Sequence, residues 1–136
     1  MLEENLNLDR VIIHIDGAAK GNNNKTIANK SYICVIAPDK GINIVVSVGD
    51  MTNNEAEWQA LIEALKLAKE QNWTKVKIYS DSLLVVNQFK NKWQCKDERM
   101  KTYYLFSKTF ESILNVEIEW IPRGKNLAGI ELERRT

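Results

Sequence analysis

The hydrophobic period changes once along this chain, and that change restricts the folds open to it. In the first third the apolar residues fall in short β-prone runs, Val11 to Ile15, Ser31 to Ala37 and Ile42 to Val48. Pro38-Asp39-Lys40-Gly41 separates the last two and has the composition of a hairpin turn, so three antiparallel strands in a meander are expected. From Glu55 to Gln71 the spacing becomes helical: Ala60, Leu61, Ala64, Leu65 and Ala68 share a stripe, and Thr52-Asn53-Asn54 supplies capping residues ahead of it. Val76 to Ser80 then reads as a strand, Asp81-Ser82 as a turn and cap, and Leu83 to Phe89 as a second helix. Met100, Tyr103, Ser107, Phe110 and Leu114 mark one face of a third helix, Val116 to Ile121 alternates as a final strand, and Asn126 to Arg135 forms a short last helix. The predicted class is α/β.

The size supports one domain over 1–136: 136 residues, 44% hydrophobic and 27% charged, with no repeat or linker to divide them. The polar loop expected over Lys20 to Lys30 is the longest interruption. Met1 to Arg10 is polar and acidic, and no apolar run is long enough to span a bilayer, so a cytoplasmic protein with no membrane partner is expected. Cys34 and Cys95 are the only cysteines and form no metal-binding or disulfide pattern. The formal charge of +1 exerts no global pull on a polyanion, so contact with nucleic acid has to come from local patches. No obligate protein partner is evident, and a monomer is expected.

Three carboxylates stand where the pattern directs them inward. Asp16 and Asp81 each close an apolar strand, at strand ends where open α/β sheets place their ligands. Glu57 lies on the helical stripe of Leu61, Ala64, Leu65 and Ala68 and should point at the sheet, whereas Glu55 projects to nearly the opposite side and should face solvent. Taken singly, each residue is better explained as a turn cap or a partner of the helix dipole than as a ligand. Converging carboxylates repel one another, and a hard divalent cation with oxygen ligands relieves that repulsion. Mg²⁺ fits best, with Mn²⁺ as the alternative. Two such ions would serve in-line hydrolysis of a nucleic-acid phosphodiester.

Ile15-Asp16-Gly17-Ala18 with Gly21-Asn22, Thr52-Asn53-Asn54-Glu55-Ala56-Glu57, Tyr79-Ser80-Asp81-Ser82, and Trp120-Ile121-Pro122-Arg123 with Asn126 together resemble type 1 ribonuclease H, in that family's order and spacing. The resemblance covers nearly all of the chain from Val11 onward. It implies a ribonuclease H-like fold, a five-stranded mixed sheet flanked by helices, and hydrolysis of the RNA strand of RNA–DNA hybrids. It also implies that Asp16, Glu57 and Asp81 are the first three catalytic, metal-binding carboxylates. The family's fourth acid is the aspartate of a pattern of Asn, two variable residues, Ala and Asp, and here Gly129 and Ile130 occupy the last two places. Glu133, one helical turn beyond Ile130, is expected to serve as fourth catalytic and metal-binding acid, with Glu131 second and a three-acid site as the alternative. The family's loop histidine is absent from Arg123-Gly124-Lys125, and the single histidine, His14, is expected to be a packed strand residue.

For the hybrid itself, short groups beside the acids suit close approach to a sugar, which singles out Gly17, Ala18 and Asn22. By the resemblance, Asn53 and Asn54 contact bases or sugars and Thr52 holds a DNA-strand phosphate, a role compatible with capping. Trp93, among Lys90, Lys92, Lys96, Arg99 and Lys101, would line a groove for the DNA strand or simply form a solvated connection. The short path from Trp93 to Met100 leaves no room for the extra basic helix of some relatives, so hybrid binding should be weak and salt-sensitive. Trp58, Trp73 and Trp120 are expected in the core. Two other readings stay open: a hybrid-binding module without catalysis, and another nuclease of the same superfamily.

Overall fold

A computed structural model of the chain describes residues 10–20 and 30–135. The polar loop at 21–29, with Gly21 and Asn22, lies outside the described residues, as do 1–9 and Thr136. Strands β1 (Val11–Lys20), β2 (Lys30–Ala37), β3 (Ile42–Gly49), β4 (Lys75–Ser80) and β5 (Asn115–Trp120) form one sheet in the order β3-β2-β1-β4-β5. The first three are antiparallel, and the β2–β3 link is a single turn of 3-10 helix over Pro38–Lys40 that ends on Gly41 in the left-handed region at φ 65°. Only a residue without Cβ takes that conformation at no steric cost. β4 and β5 run parallel to β1, so each needs a crossover, and the helices supply it.

Helix α1 (Asn53–Glu70) leads from β3 to β4, and α2 (Leu83–Phe89) and α3 (Glu98–Thr109) lead from β4 to β5. Alternation along the strands decides which face each covers. Ile13 and Ile15 of β1 and Ile33 and Val35 of β2 pack with Trp58, Leu61 and Leu65 of α1 in the main core. The intervening Cys34 packs on the opposite face against Ala128 and Leu132 of α4 (Leu127–Arg134). Helices therefore lie on both sides of a five-stranded mixed sheet, as expected.

Two expectations about strands need correction. Asp16 does not end its strand: β1 continues to Lys20, because antiparallel pairing with β2 persists from His14 opposite Ile36 to Lys20 opposite Lys30. What stops near Asp16 is the parallel pairing with β4, last seen at His14 opposite Tyr79. Trp120 is 42% exposed and not in the core, since it closes an edge strand beyond the reach of the helix layer, while Ile118 on the same strand is buried. Its indole N–H donates to the Asp81 carbonyl at 3.1 Å. Trp58 is fully buried and Trp73 packs at the core margin. No described helix is long and apolar enough to cross a membrane.

Candidate active site

The β1–β4 register brings two of the acids together. Val11 lies opposite Val76 and His14 opposite Tyr79, so two residues further along, Asp16 stands beside Asp81 just past the end of β4. The third comes from the first turn of α1. Thr52 caps that helix: its hydroxyl accepts from the Glu55 N–H at 3.2 Å, and the Glu55 carboxylate accepts in return from the Thr52 N–H at 3.2 Å. Gly17 lets the helix approach, because a Cβ there would lie 2.2 Å from the Ala56 carbonyl oxygen. The Gly17 N–H also donates to Glu57 Oε1 at 2.5 Å, which fixes the carboxylate beside Asp16. Asp16, Glu57 and Asp81 each offer an oxygen within 4.8 Å of the others.

Asp16 is 1% exposed, and its Oδ2 is a buried oxygen with no hydrogen-bond partner among the described residues. Burial, and after it the charge of Asp16, pushes the Glu57 carboxyl up to about 9. Burial also raises Asp16, against a hydrogen bond with Glu57 and with the charge of Asp81 adding to the rise. In the absence of a cation the pair thus retains a proton near neutrality. An orphaned buried oxygen inside an all-oxygen donor set fits a hard divalent metal ion.

Two residues that were quoted in the sequence motifs without a role build the rest of the site. Asn126 is fully buried and uses both ends of its amide: Oδ1 accepts from Ala128 N–H at 3.1 Å as the cap of α4, while Nδ2 donates to the Ile15 carbonyl at 2.9 Å and to Asp81 Oδ2 at 2.8 Å. As the first residue of the expected last helix it carried no sign of a contact more than a hundred residues back along the chain. Arg123 places its guanidinium 3.9 Å from Asp16, 3.6 Å from Asp81 and 2.9 Å from Glu133. On α4 it is Gly129 that faces the acids, where a Cβ would come 3.2 Å from Asp81 Oδ2, while Ile130 points outward and is exposed.

The remaining candidates are distributed as follows. The Glu133 side chain is 61% exposed and touches the site through Arg123. Glu131 is buried and engaged by Asn43, Arg134 and Arg135, away from the cluster. Ala18 is half-buried beside Gly17, and the Ala19 N–H donates to Asn53 Oδ1 at 2.8 Å, so Asn53 pins β1 to the start of α1. Thr52 and Asn54 are exposed and line a cleft of about 710 Å³ with Gln88 and Arg99. Trp93 is exposed in a second cleft of about 430 Å³ that also includes Lys92 and Lys101. His14 is half-buried; its Nδ1 accepts from the Leu127 N–H at 3.1 Å, tying α4 to β1, and burial lowers its pKa.

Glu55 is the clear correction. Expected in solvent, it is 8% exposed, because Arg99 at 3.3 Å and Tyr103 at 3.4 Å cover it from α3 while it closes the capping box. Burial works against its charge, yet hydrogen bonds from Thr52 and Arg99 outweigh that and hold the carboxyl below its usual range. It is a helix-docking residue separate from the cluster of Asp16, Glu57 and Asp81.

Residues 15–134 match the family described as reverse transcriptase-like. EbsB of Enterococcus faecalis is 33% identical over 129 residues, 90% of either chain. A ribonuclease H of Thermoanaerobacter is 31% identical over 127 residues, which is 85% of this chain and 77% of that protein. The chain belongs to the ribonuclease H family. Among solved structures of ribonucleases H, LC11-RNase H1, isolated from compost by a metagenomic approach and crystallised with an RNA/DNA hybrid, superposes with a TM-score of 0.73 at 27% identity, covering 90% of this chain and 93% of that one. The chain spans 32% of the length of a 28% identical bifunctional protein of Mycobacterium tuberculosis.

Proposed function

We propose that this chain is an endoribonuclease that hydrolyses the RNA strand of RNA–DNA hybrids, with Asp16, Glu57 and Asp81 holding Mg²⁺, or Mn²⁺ in its place. The observation that carries the proposal is the meeting of three carboxylates from β1, α1 and the end of β4 around a buried oxygen that accepts no hydrogen bond among the described residues. Bound divalent cations would supply activation of a water and stabilisation of charge at phosphorus. The protein's own part is positioning. The Gly17 N–H holds Glu57, Asn126 holds Asp81, and the missing side chain at Gly129 leaves room beside both aspartates.

Glu133 is our candidate for the fourth acid. Asp16, Asp81 and Glu133 already surround one positive group, the Arg123 guanidinium, and a metal ion entering between them would meet the same charges. The hybrid as substrate is supported by the LC11-RNase H1 complex with RNA/DNA hybrid and by small residues at the strand beside the acids, where Gly17 and Ala18 allow a sugar to approach. Thr52 and Asn54 on one cleft, Asn53 between them in the chain, and Trp93 on the other cleft are the proposed contacts to the hybrid, Trp93 by stacking and Thr52 by a phosphate. Asn22 completes the proposed set. The test is a panel of end-labelled RNA–DNA hybrid, duplex RNA, duplex DNA and single strands, each with Mg²⁺ and with EDTA. Cleavage confined to the RNA of the hybrid and abolished by EDTA is expected; cutting of DNA, or of the hybrid in EDTA, would contradict the proposal.

A further inference from the structure

Strand β3 ends the sheet, and no described element pairs with its outer edge. Its sequence, Ile-Asn-Ile-Val-Val-Ser-Val-Gly over Ile42–Gly49, contains no charge and no proline. Free edges in soluble proteins are usually blunted by lysine, proline or a bulge along the exposed strand, and a flat apolar edge is a template for another strand. The single irregularity in the β2–β3 pairing lies at its end, at Ser31 and Tyr32. Alternation puts Ile42, Ile44, Val46 and Val48 on the α1 face of the sheet. Ile42 and Val48 reach the main core, but Ile44 and Val46 are 37% and 41% exposed.

The ends of the strand indicate what fits there. Exposed Lys40 precedes it and exposed Asp50 follows it, and neither makes an ion pair among the described residues; the Lys40 ammonium faces the Trp73 ring at 6.0 Å. An antiparallel pairing of β3 with itself, centred on Val45, sets Ile44 of one copy opposite Val46 of the other and Ile42 opposite Val48. The same register sets Asn43 opposite Ser47 and Lys40 opposite Asp50, on both sides of a two-fold axis. Apolar residues meet apolar, polar meet polar, and each chain end meets its opposite charge. A slip by two residues keeps the faces but leaves Lys40 and Asp50 without each other.

We propose that β3 is a self-association surface, through which two copies of this chain join their sheets into one ten-stranded sheet with two-fold symmetry. β2 separates β3 from β1 and β4, so both carboxylate clusters remain open in the pair. Edge pairing over one strand buries less than a standard interface, which places the association in the weak class.

Sedimentation equilibrium of the full chain from about 1 μM to about 1 mM tests this, since that range spans the affinities such an edge provides. A monomer–dimer equilibrium is expected. Val46→Lys, at an exposed position, should keep the circular dichroism spectrum and be monomeric throughout. Lys40→Glu and Asp50→Lys should each weaken dimerisation by about tenfold, because each dimer then carries two like-charge contacts. The double variant Lys40→Glu/Asp50→Lys should restore the affinity to within about threefold of the parent, as the swapped charges again face each other. A parent chain monomeric at every concentration, a dimer indifferent to Val46→Lys, or a charge swap without rescue would each overturn the proposal.

Discussion

Glu57 is where the sequence and the site agree most directly. Its place on an apolar helical stripe foretold a carboxylate turned toward the sheet, and it lies against the Gly17 N–H beside Asp16. Glu55 failed by the same rule because its cover comes from Arg99 and Tyr103, more than forty residues away, which no local period records. Arg123 and Asn126 were visible as letters in a motif, but their contacts with the acids exist only once β1, β4 and α4 are assembled. The raised carboxyl of Glu57 has a measurable consequence. A carboxyl at 4.5 in the unfolded chain and about 9 in the folded one gives stability that is whole below 4.5 and is lost as pH climbs through 9. The raised Asp16 adds in the same direction, whereas the lowered Glu55 acts only below this window. Thermal melts in EDTA between about pH 5 and about pH 9 should therefore show a falling midpoint, and Glu57→Gln should flatten the slope. A metal-free midpoint that rises across this range would show that the acids do not share a proton. Added Mg²⁺ should stabilise most at the alkaline end, since its ligands must be deprotonated.

At the scale of elements, α4 is the piece on which the site depends most. Eight residues are too few to hold a helix alone, so its persistence rests on the Asn126 cap, the His14 contact to Leu127 and the packing of Ala128 and Leu132 on Cys34. Asn126→Ala removes the cap and also strands Asp81 Oδ2, with an expected loss of about 1–2 kcal/mol by chemical denaturation and a drop in hybrid cleavage beyond that explained by unfolding. A variant as stable and as active as the parent would show that α4 docks without it. The helix itself was expected over Asn126 to Arg135, after the break at Pro122-Arg123-Gly124, and it forms over Leu127–Arg134 with Asn126 as its cap. Which of its residues faces the acids was not: the motif count pointed to Ile130, yet the turn of the helix presents Gly129. If Glu133 is a ligand, Glu133→Gln should raise the Mg²⁺ concentration needed for half-maximal cleavage by about tenfold, a change an uninvolved surface residue would not cause. An unchanged Mg²⁺ titration would leave a three-acid site.

For the molecule as a whole, the order β3-β2-β1-β4-β5 explains why residues far apart in the chain make one centre. The meander and the later alternation of strand and helix were readable from the change of hydrophobic period. The length of β1 was not, because pairing with β2 carries the strand on through Gly17, Ala18 and Ala19, residues of low strand propensity. Trp120 was misplaced for a related reason: alternation tells which face a residue takes but not whether a helix covers that end of the edge strand. The clefts bearing Thr52, Asn54 and Arg99 and then Lys92, Trp93 and Lys101 lie on the side from which α2 and α3 connect, and with a net charge of +1 any hold on a hybrid comes from such local groups. Metal-dependent hydrolysis by the three gathered carboxylates stands or falls with Asp81→Asn, since the change preserves size and removes only charge. Single-turnover cleavage of a labelled RNA–DNA hybrid at saturating Mg²⁺ should fall by at least about 100-fold with the melting midpoint retained. Cleavage by Asp81→Asn at the parent rate would contradict it.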